Sequence, residues 1–530
     1  MKYDAIVVGG GHNGLVNAGY LAKAGLKTLV LERRPMVGGA AITEELLPGY
    51  KFTTFSYAIS LLRPDIVQDL NLVKHGLLVL PMTRTFQPGY NNEYLLLGAD
   101  KDENFHEVCR YSREDAEAYR DLSHLFDKVC FALKPLMDSI PPNSISKDPA
   151  DVAKYQEVEK YLKGLDPKVQ GLIDRLWNQS AAEILDDYFE CELLKSNIAS
   201  SAIIGSMISP RSPNSGIVWL FHKMGEYDGM FGDWGFHKGG NGGFTQVLAK
   251  AAEAYGATIM TDSGVSKVLY SDGHADGVVL ENGQELRADV VVSALDPRRT
   301  FTQLVESSDM PTDLVDCISN YKFQGSASKV NFALSDVPTF PALKGRTDPF
   351  TGFVNVGPSM QYLEDAFADA QSGTFSRKPF VDCCVQSTVD PDMSPPGKHI
   401  MSCFVMYTPY HLKVSTWDVE RENLGDATQA TLEEFFPGFN DLVEHREVVT
   451  PLDIENVVGL SEGNIFAGEM FGDQMFLNRP APGWNQYRTP IKGYYQCGSG
   501  THPGGCVIGA PGKLAAKQIL NDREMFASLM

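Results

Sequence analysis

The chain has 530 residues, more than a single hydrophobic core usually organises, so its length predicts two or three domains. Its composition, 43% hydrophobic and 21% charged, is typical of a globular protein, and no apolar run approaches the roughly eighteen residues that cross a membrane. A formal net charge of -21 without a dense Lys/Arg cluster excludes nucleic acid as a partner, because its phosphates would be repelled.

The nine cysteines are scattered and form no C-x-x-C pair, which excludes a redox dithiol and a zinc ribbon. We therefore expect reduced, buried thiols and no metal site. The sequence enters its first predicted strand at Tyr3 with no secretory signal before it, so we expect a cytoplasmic protein. No basic amphipathic helix indicates membrane binding, yet a peripheral membrane contact and a homo-oligomer both stay open.

A strand, a glycine-rich loop, a helix and a second strand follow one another at the N-terminus. Residues 4–8 (DAIVV) are typical of a buried parallel strand, residues 15–24 of a helix that ends at Gly25, and residues 27–31 of another strand. The loop between the first strand and the helix, residues 9–14, reads GGGHNG. This order predicts a Rossmann-type unit.

The loop fits the pattern G-x-G-x-x-G, and each glycine has a mechanical role. Gly9 makes the tight turn, Gly11 lets the backbone approach a pyrophosphate, and Gly14 lets the helix pack closely on the strand. The free N–H groups at the helix N-terminus favour the same phosphate. Glu32 ends the second strand at the spacing of a carboxylate that binds the ribose hydroxyls. Together they predict a dinucleotide site.

A second glycine pair, Gly38-Gly39, follows soon after Glu32. Such a pair resembles the large FAD-binding superfamily that includes amine oxidases and phytoene desaturases, in which it passes beside the flavin and the pyrophosphate. The resemblance favours FAD over NAD. Arg34 is either a further phosphate contact or an exposed arginine.

Two further blocks make the resemblance specific. Residues 238–244 read KGGNGGF before a predicted helix, and residues 493–505 read GYYQCGSGTHPGG before another. With the N-terminal motif, they resemble the carotenoid desaturase, carotenoid isomerase and retinol saturase group of FAD enzymes. Within it, the chain looks most like the branch labelled pyridine nucleotide-disulfide oxidoreductase domain-containing proteins. That label misleads here, because the missing C-x-x-C pair argues against dithiol–disulphide exchange.

The resemblance implies a particular set of flavin contacts. The backbone at Val265 would hold the adenine, and the helix after residues 498–505 would point at the pyrimidine end of the isoalloxazine. A helix dipole there stabilises the negative charge of a reduced flavin. At Cys506 the chain departs from the usual Gly-Gly-Gly-Val, and this side chain either approaches the ring or packs. The residues expected to bind FAD are Gly9, Gly11, His12, Asn13, Gly14, Glu32, Arg33, Arg34, Gly38, Gly39, Ala40, Gly240, Val265, Gly498, Ser499, Gly500, His502, Gly505, Cys506 and Val507.

The expected fold class is α/β, with a Rossmann-like FAD-binding domain assembled from discontinuous segments and an α+β substrate domain. The three blocks assign residues 1–60, 234–300 and 485–530 to the FAD-binding domain. Residues 61–233 and 301–484 then form the substrate domain, with a helical portion over about 112–230. Within that portion, the small apolar stretch 200–208 (SSAIIGSMI) either lines a hydrophobic tunnel or forms a buried helix.

Four side chains are candidates for catalysis. On a helix, His222 and Glu226 would share one face and could do acid–base work, or form a structural hydrogen-bonded pair. Lys329 falls in a predicted strand, where the superfamily can use a lysine to hold a water at flavin N5. His237 directly precedes the second glycine block, and we expect it near the ring together with His502.

The expected function is hydride transfer between FAD and an apolar, unsaturated or isoprenoid-like substrate, as in a desaturase, dehydrogenase or saturase. No second glycine fingerprint predicts an NAD(P)H site, so oxygen or a quinone is the expected electron acceptor. Three alternatives stay open: an isomerase that uses the same fold without net redox, an amine oxidase with a paired-aromatic cage before the flavin, and a flavin-bound scaffold without turnover.

Overall fold

The computed structural model describes residues 2–227, 230–231 and 234–529, so the predicted domain boundary at 233 and part of the end of the predicted helical portion lie outside the described residues. The strands are β1 (Lys2–Val8), β2 (Thr28–Leu31), β3 (Glu44–Leu47), β4 (Tyr50–Phe52), β5 (Val79–Pro81), β6 (Arg84–Pro88), β7 (Tyr94–Gly98), β8 (Glu226–Tyr227), β9 (Met230–Phe231), β10 (Gly235–His237), β11 (Thr258–Met260), β12 (Val265–Ser271), β13 (His274–Leu280), β14 (Glu285–Ser293), β15 (Ala327–Leu334), β16 (Phe353–Val356), β17 (Phe380–Cys384), β18 (His399–Met406), β19 (Val443–Val449) and β20 (Tyr494–Gln496).

The α-helices follow the same chain order. They are α1 (His12–Lys23), α2 (Pro64–Asp69), α3 (Lys101–Cys109), α4 (Arg113–Met137), α5 (Pro149–Lys163), α6 (Pro167–Asn178), α7 (Ala181–Tyr188), α8 (Glu192–Ser200), α9 (Ser215–Lys223), α10 (Gly240–Ala254), α11 (Pro297–Thr302), α12 (Thr312–Ser319), α13 (Met360–Gln371), α14 (Trp417–Phe435), α15 (Phe439–Leu442), α16 (Pro451–Asp453) and α17 (Ala510–Leu529). Among the described residues, none of these helices is both long and apolar enough to cross a bilayer.

The first sheet has the strand order β11-β2-β1-β14-β13-β12, and β20 also pairs with β14. β11, β2, β1, β14 and β20 run parallel, while β12, β13 and β14 form an antiparallel meander. The segments that build this sheet come from both ends and the middle of the chain. This is the α/β, Rossmann-like arrangement that the sequence predicts, and the prediction of the fold class is confirmed.

Helices cover both faces of the first sheet. On one face, α1 packs between α10 and α17, and its residues from Asn13 to Gly19 are all buried. The other face carries a separate apolar cluster that includes Phe301 of α11 and Leu314 of α12. The predicted domain boundary at residue 300 therefore falls inside α11, whose core is shared with this sheet.

The second sheet has the order β19-β15-β18-β17-β16-β6-β7 and is antiparallel except between β16 and β6. Successive side chains along each strand point to opposite faces of this sheet. One face, with Val330, Val381 and Val405, packs against α14 in an apolar core. The opposite face presents Lys329, Asp382 and Phe404 to a cavity.

Candidate active site

The glycine loop predicted for the dinucleotide connects β1 to α1. Gly11 is the N-cap of α1, with ordinary extended angles of φ −70° and ψ 170° and no side-chain hydrogen bond that caps the helix. A Cβ on Gly11 would meet nothing within 4 Å, whereas a Cβ on Gly14 would lie 2.1 Å from the carbonyl oxygen of Gly9. Gly14 thus permits close packing, and Gly11 faces open space at an uncapped helix N-terminus, which suits a pyrophosphate.

Two buried polar atoms in the first turn of α1 support the same assignment. In the described part of the chain, His12 Nε2 and Asn13 Oδ1 have no hydrogen-bond partner. Burial lowers the pKa of His12 to about 4, so its imidazole is neutral at physiological pH. Buried polar groups are nearly always satisfied in a complete protein, and these two would be satisfied by a polar ligand. The residues present therefore fit FAD.

The carboxylate of Glu32, the residue after β2, contacts the backbone of the glycine loop. It accepts a hydrogen bond from Gly10 N at 2.8 Å and another from Arg34 N at 2.9 Å. The Arg34 side chain forms an ion pair with Glu44 at 3.0 Å, and the exposed Arg33 donates to the carbonyl of Val457. Both arginine side chains therefore have partners within the protein.

The second glycine pair lies directly against the first loop. Gly38 pairs with Gly11 in an isolated bridge, and its N–H donates to Gly10 O at 2.9 Å. A Cβ on Gly38, where φ is +132°, would lie 2.6 Å from Ala41 O, and one on Gly39 would lie 3.3 Å from Gly11 Cα. Ala40, the next residue, lines the cavity. The two glycine motifs therefore lie side by side, and the contact of Gly38 and Gly39 with FAD stays a prediction.

The middle glycine block has a packing role in this structure. A Cβ on Gly240 would lie 2.4 Å from Thr43 Oγ1, and Gly242 N donates to the same hydroxyl at 3.0 Å. His237 is buried with its Nε2 3.2 Å from Gly76 O and is not among the described residues that line the cavity, contrary to the expected place near the ring. Val265 begins β12, close to the chain segment that pairs with Glu32.

The C-terminal loop, residues 498–507, returns to the N-terminal motif. Asn13 Nδ2 donates to Ser499 Oγ at 3.2 Å, and Ser499 lines the cavity together with Val507. The other predicted glycines of this loop are closely packed, since a Cβ would lie 2.5 Å from Leu295 O at Gly498, 2.3 Å from Pro297 Cδ at Gly500 and 2.7 Å from Phe466 Cδ1 at Gly505.

A buried arginine that the sequence analysis missed holds this loop. Arg479 is 0% exposed and donates to Ser499 O at 2.9 Å, to Phe466 O at 2.8 Å and to the Tyr321 hydroxyl at 3.0 Å. Arg479 also donates to the backbone carbonyls of Gly468, Glu469 and Gln474. A lone Arg before a proline gives no sequence signal of this role, because its acceptors come from distant segments.

His502 and Cys506 fall on opposite sides of the loop. His502 Nε2 lies 3.0 Å from Leu136 O, and burial lowers the pKa of its imidazole to about 4. It is absent from the described cavity lining, and its place near the flavin stays a prediction. Cys506, with φ +66°, does line the cavity, and its Sγ lies 3.6 Å from His222 Nε2.

A cavity of about 690 Å³ extends from the loop residues His12, Ser499 and Val507 into the second sheet and the helical region. Its lining is mostly apolar, and its volume is within the range of small-molecule sites. Ser200, Ser201 and Ile204 contribute from the small apolar stretch; these residues are the end of α8 and the turn after it. Other apolar lining residues are Leu122, Phe126, Ile198, Trp219, Trp234, Phe353 and Phe404.

Of the predicted catalytic residues, Lys329 and His222 line this cavity, and Lys329 lies on the second sheet. It is 2% exposed; its Nζ donates to Ser402 Oγ at 2.6 Å and lies 3.7 Å from the centre of the Tyr57 ring. Burial lowers the pKa of Lys329 to about 8, although neighbouring acids including Asp382 oppose the shift. An ammonium group has three donors, so Lys329 can still donate into the cavity.

The predicted His222–Glu226 pair is wrong. Helix α9 ends at Lys223, and a Cβ on Gly225 would lie 1.8 Å from Ser60 Oγ, so the chain leaves the helix before Glu226. Glu226 forms an ion pair with Lys134 instead and does not line the cavity in the described part of the chain. His222 alone faces the cavity, with Nδ1 2.8 Å from Val218 O, and burial lowers its pKa to about 4.

Asp382 is a cavity residue that no sequence motif indicates. Burial raises the pKa of its carboxyl group to about 7, and the Tyr57 hydroxyl and the Lys329 charge oppose that rise. Lys329 and Asp382 are brought to one face by the pairing of β15 and β17 with β18, and Tyr57 reaches them from the loop after β4. Alternation along β17 could have placed Asp382 on one face, but not opposite its partners.

The Rossmann-like fold, the uncapped helix N-terminus at Gly11 and the cavity behind it fit a dinucleotide-binding protein with an adjoining ligand site. The sequence profile of the family described as "Flavin containing amine oxidoreductase" matches residues 14–520. The chain belongs to this family, and the prediction of FAD as its cofactor is confirmed.

Two relatives confirm the resemblance that the motifs indicate. "Pyridine nucleotide-disulfide oxidoreductase domain-containing protein 2" of Rattus norvegicus is 38% identical over 98% of this chain and 94% of its own length. "Phytoene desaturase (lycopene-forming)" of a Paracoccus species is 25% identical over 98% of this chain and 97% of its own. Among solved structures, cyclohexylamine oxidase from Brevibacterium oxydans has a TM-score of 0.59 at 18% identity, covering 98% of this chain and 99% of its own. That likeness shows the fold.

Proposed function

We propose that this oxidoreductase oxidises an apolar, unsaturated or isoprenoid-like substrate by hydride transfer at flavin N5. The main support for this proposal is the mostly apolar cavity of about 690 Å³ that begins at the loops predicted to bind the flavin. Apolar surface of this extent favours a hydrophobic ligand, because each Å² removed from water contributes about 25 cal/mol. The phytoene desaturase relative supports the same substrate class.

The residues of this chain would have two tasks, to hold the cofactor and to surround the substrate. Gly11, His12, Asn13 and Ser499 would hold the cofactor, and FAD supplies the hydride acceptor when bound. Lys329 would present a buried donor beside the substrate, and the apolar walls would exclude water. We further propose oxygen or a quinone as the electron acceptor, since the sequence has no second glycine fingerprint.

The amine-oxidase alternative predicts a paired-aromatic cage before the flavin. The C-terminal loop contributes Ser499, Cys506 and Val507 to the cavity, and none of these is aromatic. Aromatic side chains, including those of Tyr57, Trp219 and Phe466, line the cavity from other segments, so the screen described next includes amines.

The test is an anaerobic screen of isoprenoid and lipid fractions for bleaching of the visible flavin band, with amines screened in parallel. We expect an isoprenoid to bleach the flavin and amines to leave it oxidised. The Gly11→Val protein, which should lack FAD, is the blank for changes that do not need the cofactor. Bleaching by amines alone would contradict the proposal, and conversion with no net consumption of acceptor would favour the isomerase.

A further inference from the structure

Four residues form a row across the cavity face of the second sheet. Lys329 of β15 is paired with Phe404 of β18, and Phe404 is paired with Asp382 of β17. Asp382 is in turn paired with Asn355 of β16. Directly paired residues point to the same face of a sheet about 5 Å apart. All four line the cavity, so the row forms one wall of the substrate site.

Within this row, Asp382 has an oxygen that is buried and unused. The residue is 7% exposed, and in the part of the chain that the structure describes its Oδ1 has no hydrogen-bond partner. Phe404 separates it from Lys329, which donates to Ser402 instead. A buried carboxylate oxygen without a donor is costly, and a ligand that donates to it recovers that cost.

The other charges of the lining restrict what this donor can be. Among the described residues, the lining carries five Lys or Arg side chains and two carboxylates, those of Asp127 and Asp382. Arg84, Lys101 and Arg120 pair with acids, but Lys329 donates to the neutral Ser402 hydroxyl, so its charge would repel an ammonium group on the same wall. A pure hydrocarbon would cover Asp382 and leave its Oδ1 without a donor. A neutral hydroxyl satisfies the carboxylate without adding charge.

We infer that Asp382 binds a hydroxyl group of the substrate, accepting its hydrogen bond at Oδ1. The inference rests on the proposed function and narrows its substrate class to an apolar, isoprenoid-like molecule that carries an alcohol. The apolar part lies against the aromatic walls, and the alcohol lies at the polar row.

The experiment compares three probes that share one chain and differ in the head group: farnesol, farnesylamine and β-farnesene. Each is titrated into the holoenzyme without oxygen and above pH 7, where the Asp382 carboxyl, whose pKa burial raises to about 7, is mostly ionised. Binding is followed by quenching of tryptophan fluorescence, because Trp219 and Trp234 line the cavity, and by perturbation of the flavin band. We expect farnesol to bind about tenfold or more tightly than either other probe, as a hydrogen bond to a charged group predicts.

Variants assign this preference to Asp382. Asp382→Leu should weaken farnesol binding about tenfold or more and leave β-farnesene binding unchanged or tighter. Asp382→Asn keeps a neutral acceptor of the same shape and should retain part of the preference, which guards against loss of folding in the Leu variant. Asp127→Leu, which removes the lining carboxylate paired with Lys101, should keep the full preference.

Equal affinities of farnesol and β-farnesene, or a preference that survives in Asp382→Leu, would overturn the inference. Tighter binding of farnesylamine that depends on Asp382 would also overturn it, in favour of an amine. A different result would contradict the proposed function alone. If farnesol is preferred but no isoprenoid bleaches the flavin, hydride transfer is contradicted and the hydroxyl site at Asp382 is still supported. If none of the three probes binds, both fail.

Discussion

Gly11 and Gly14 have the same side chain, but the structure constrains them in opposite ways. Gly14 is fixed by the protein, because a Cβ would lie 2.1 Å from Gly9 O. Gly11 has angles that any residue adopts and an open space where its Cβ would be, so nothing in the protein itself requires glycine there. Only a ligand in that space requires it.

The first prediction follows from this difference. Gly11→Val should leave the fold intact, because valine is comfortable at φ −70° and ψ 170°, and should abolish FAD retention because the side chain occupies the pyrophosphate space. The measurement is the visible flavin spectrum of the purified protein beside its melting temperature. Gly171→Val is the matched control, since a Cβ there also meets nothing within 4 Å, and it should keep its flavin. A yellow Gly11→Val protein would contradict the assignment.

The second prediction concerns the pH dependence of stability at Lys329. Its pKa is about 8 in the folded protein and 10.5 for a free lysine, so the unfolded chain binds more protons between these values. The lysine therefore destabilises the fold fully below pH 8, and stability rises as pH increases from about 8 to 10.5.

Lys329→Met should remove this rise, which amounts to about 3 kcal/mol at most. The measurement is the free energy of unfolding of both proteins across that pH range. Other titrating groups contribute equally to both proteins, so the difference between the two free energies reports Lys329. A constant difference between the two proteins would show that the Lys329 ammonium is not desolvated. Ser402→Ala removes the hydroxyl that accepts from Lys329 and donates to Asn331 but leaves the lysine buried, so this control should keep a pH-dependent rise.

At the scale of elements, the C-terminal loop depends on one side chain outside it. Arg479 is fully buried and donates to several backbone carbonyls, including that of Ser499, which lies against Asn13 of α1. The third prediction is that Arg479→Met lowers the free energy of unfolding by about 3 kcal/mol or more, because the carbonyls lose their donor inside the protein. It should also weaken FAD binding, because residues 498–507 lose their anchor.

Thermal melting and FAD titration of the apoprotein measure both effects. Arg287→Met is the control, since the Arg287 side chain is 51% exposed and its ion pair among the described residues is with Glu285 at the surface. Surface ion pairs contribute about 0 to 1 kcal/mol, so this variant should resemble the parent protein. Unchanged FAD affinity in Arg479→Met would show that the loop is ordered without its anchor.

The sequence predicts the elements whose determinants are local. The glycines between β1 and α1, the acid at the end of β2 and the strand runs can be recognised because each motif is contiguous. The His222–Glu226 pairing failed because helical spacing was extended past Lys223, where Gly225 packs against Ser60. Arg479 and Asp382 could not be found this way, since their partners are set by strand register and loop packing across distant segments.

At the scale of the whole molecule, chain segments from both ends and the middle meet at one cavity. The first sheet supplies the predicted flavin loops, the second sheet supplies Lys329 and Asp382, and the helices supply apolar wall. The division into a FAD-binding and a substrate domain, with its boundary at residue 300, stays a prediction, and α11 and α12 pack on the first sheet. The sequence predicts this architecture because the three glycine-rich segments are separated by long segments that lack such glycine motifs.

The most direct test of the account is anaerobic rapid mixing of the holoenzyme with an isoprenoid substrate and with the same molecule deuterated at the reacting carbon. We expect the flavin band to bleach, the deuterated substrate to bleach it several-fold more slowly, and the recovered product to have lost two hydrogens. A flavin that no isoprenoid bleaches but that amines reduce, or a product of unchanged mass, would contradict hydride transfer from an apolar substrate.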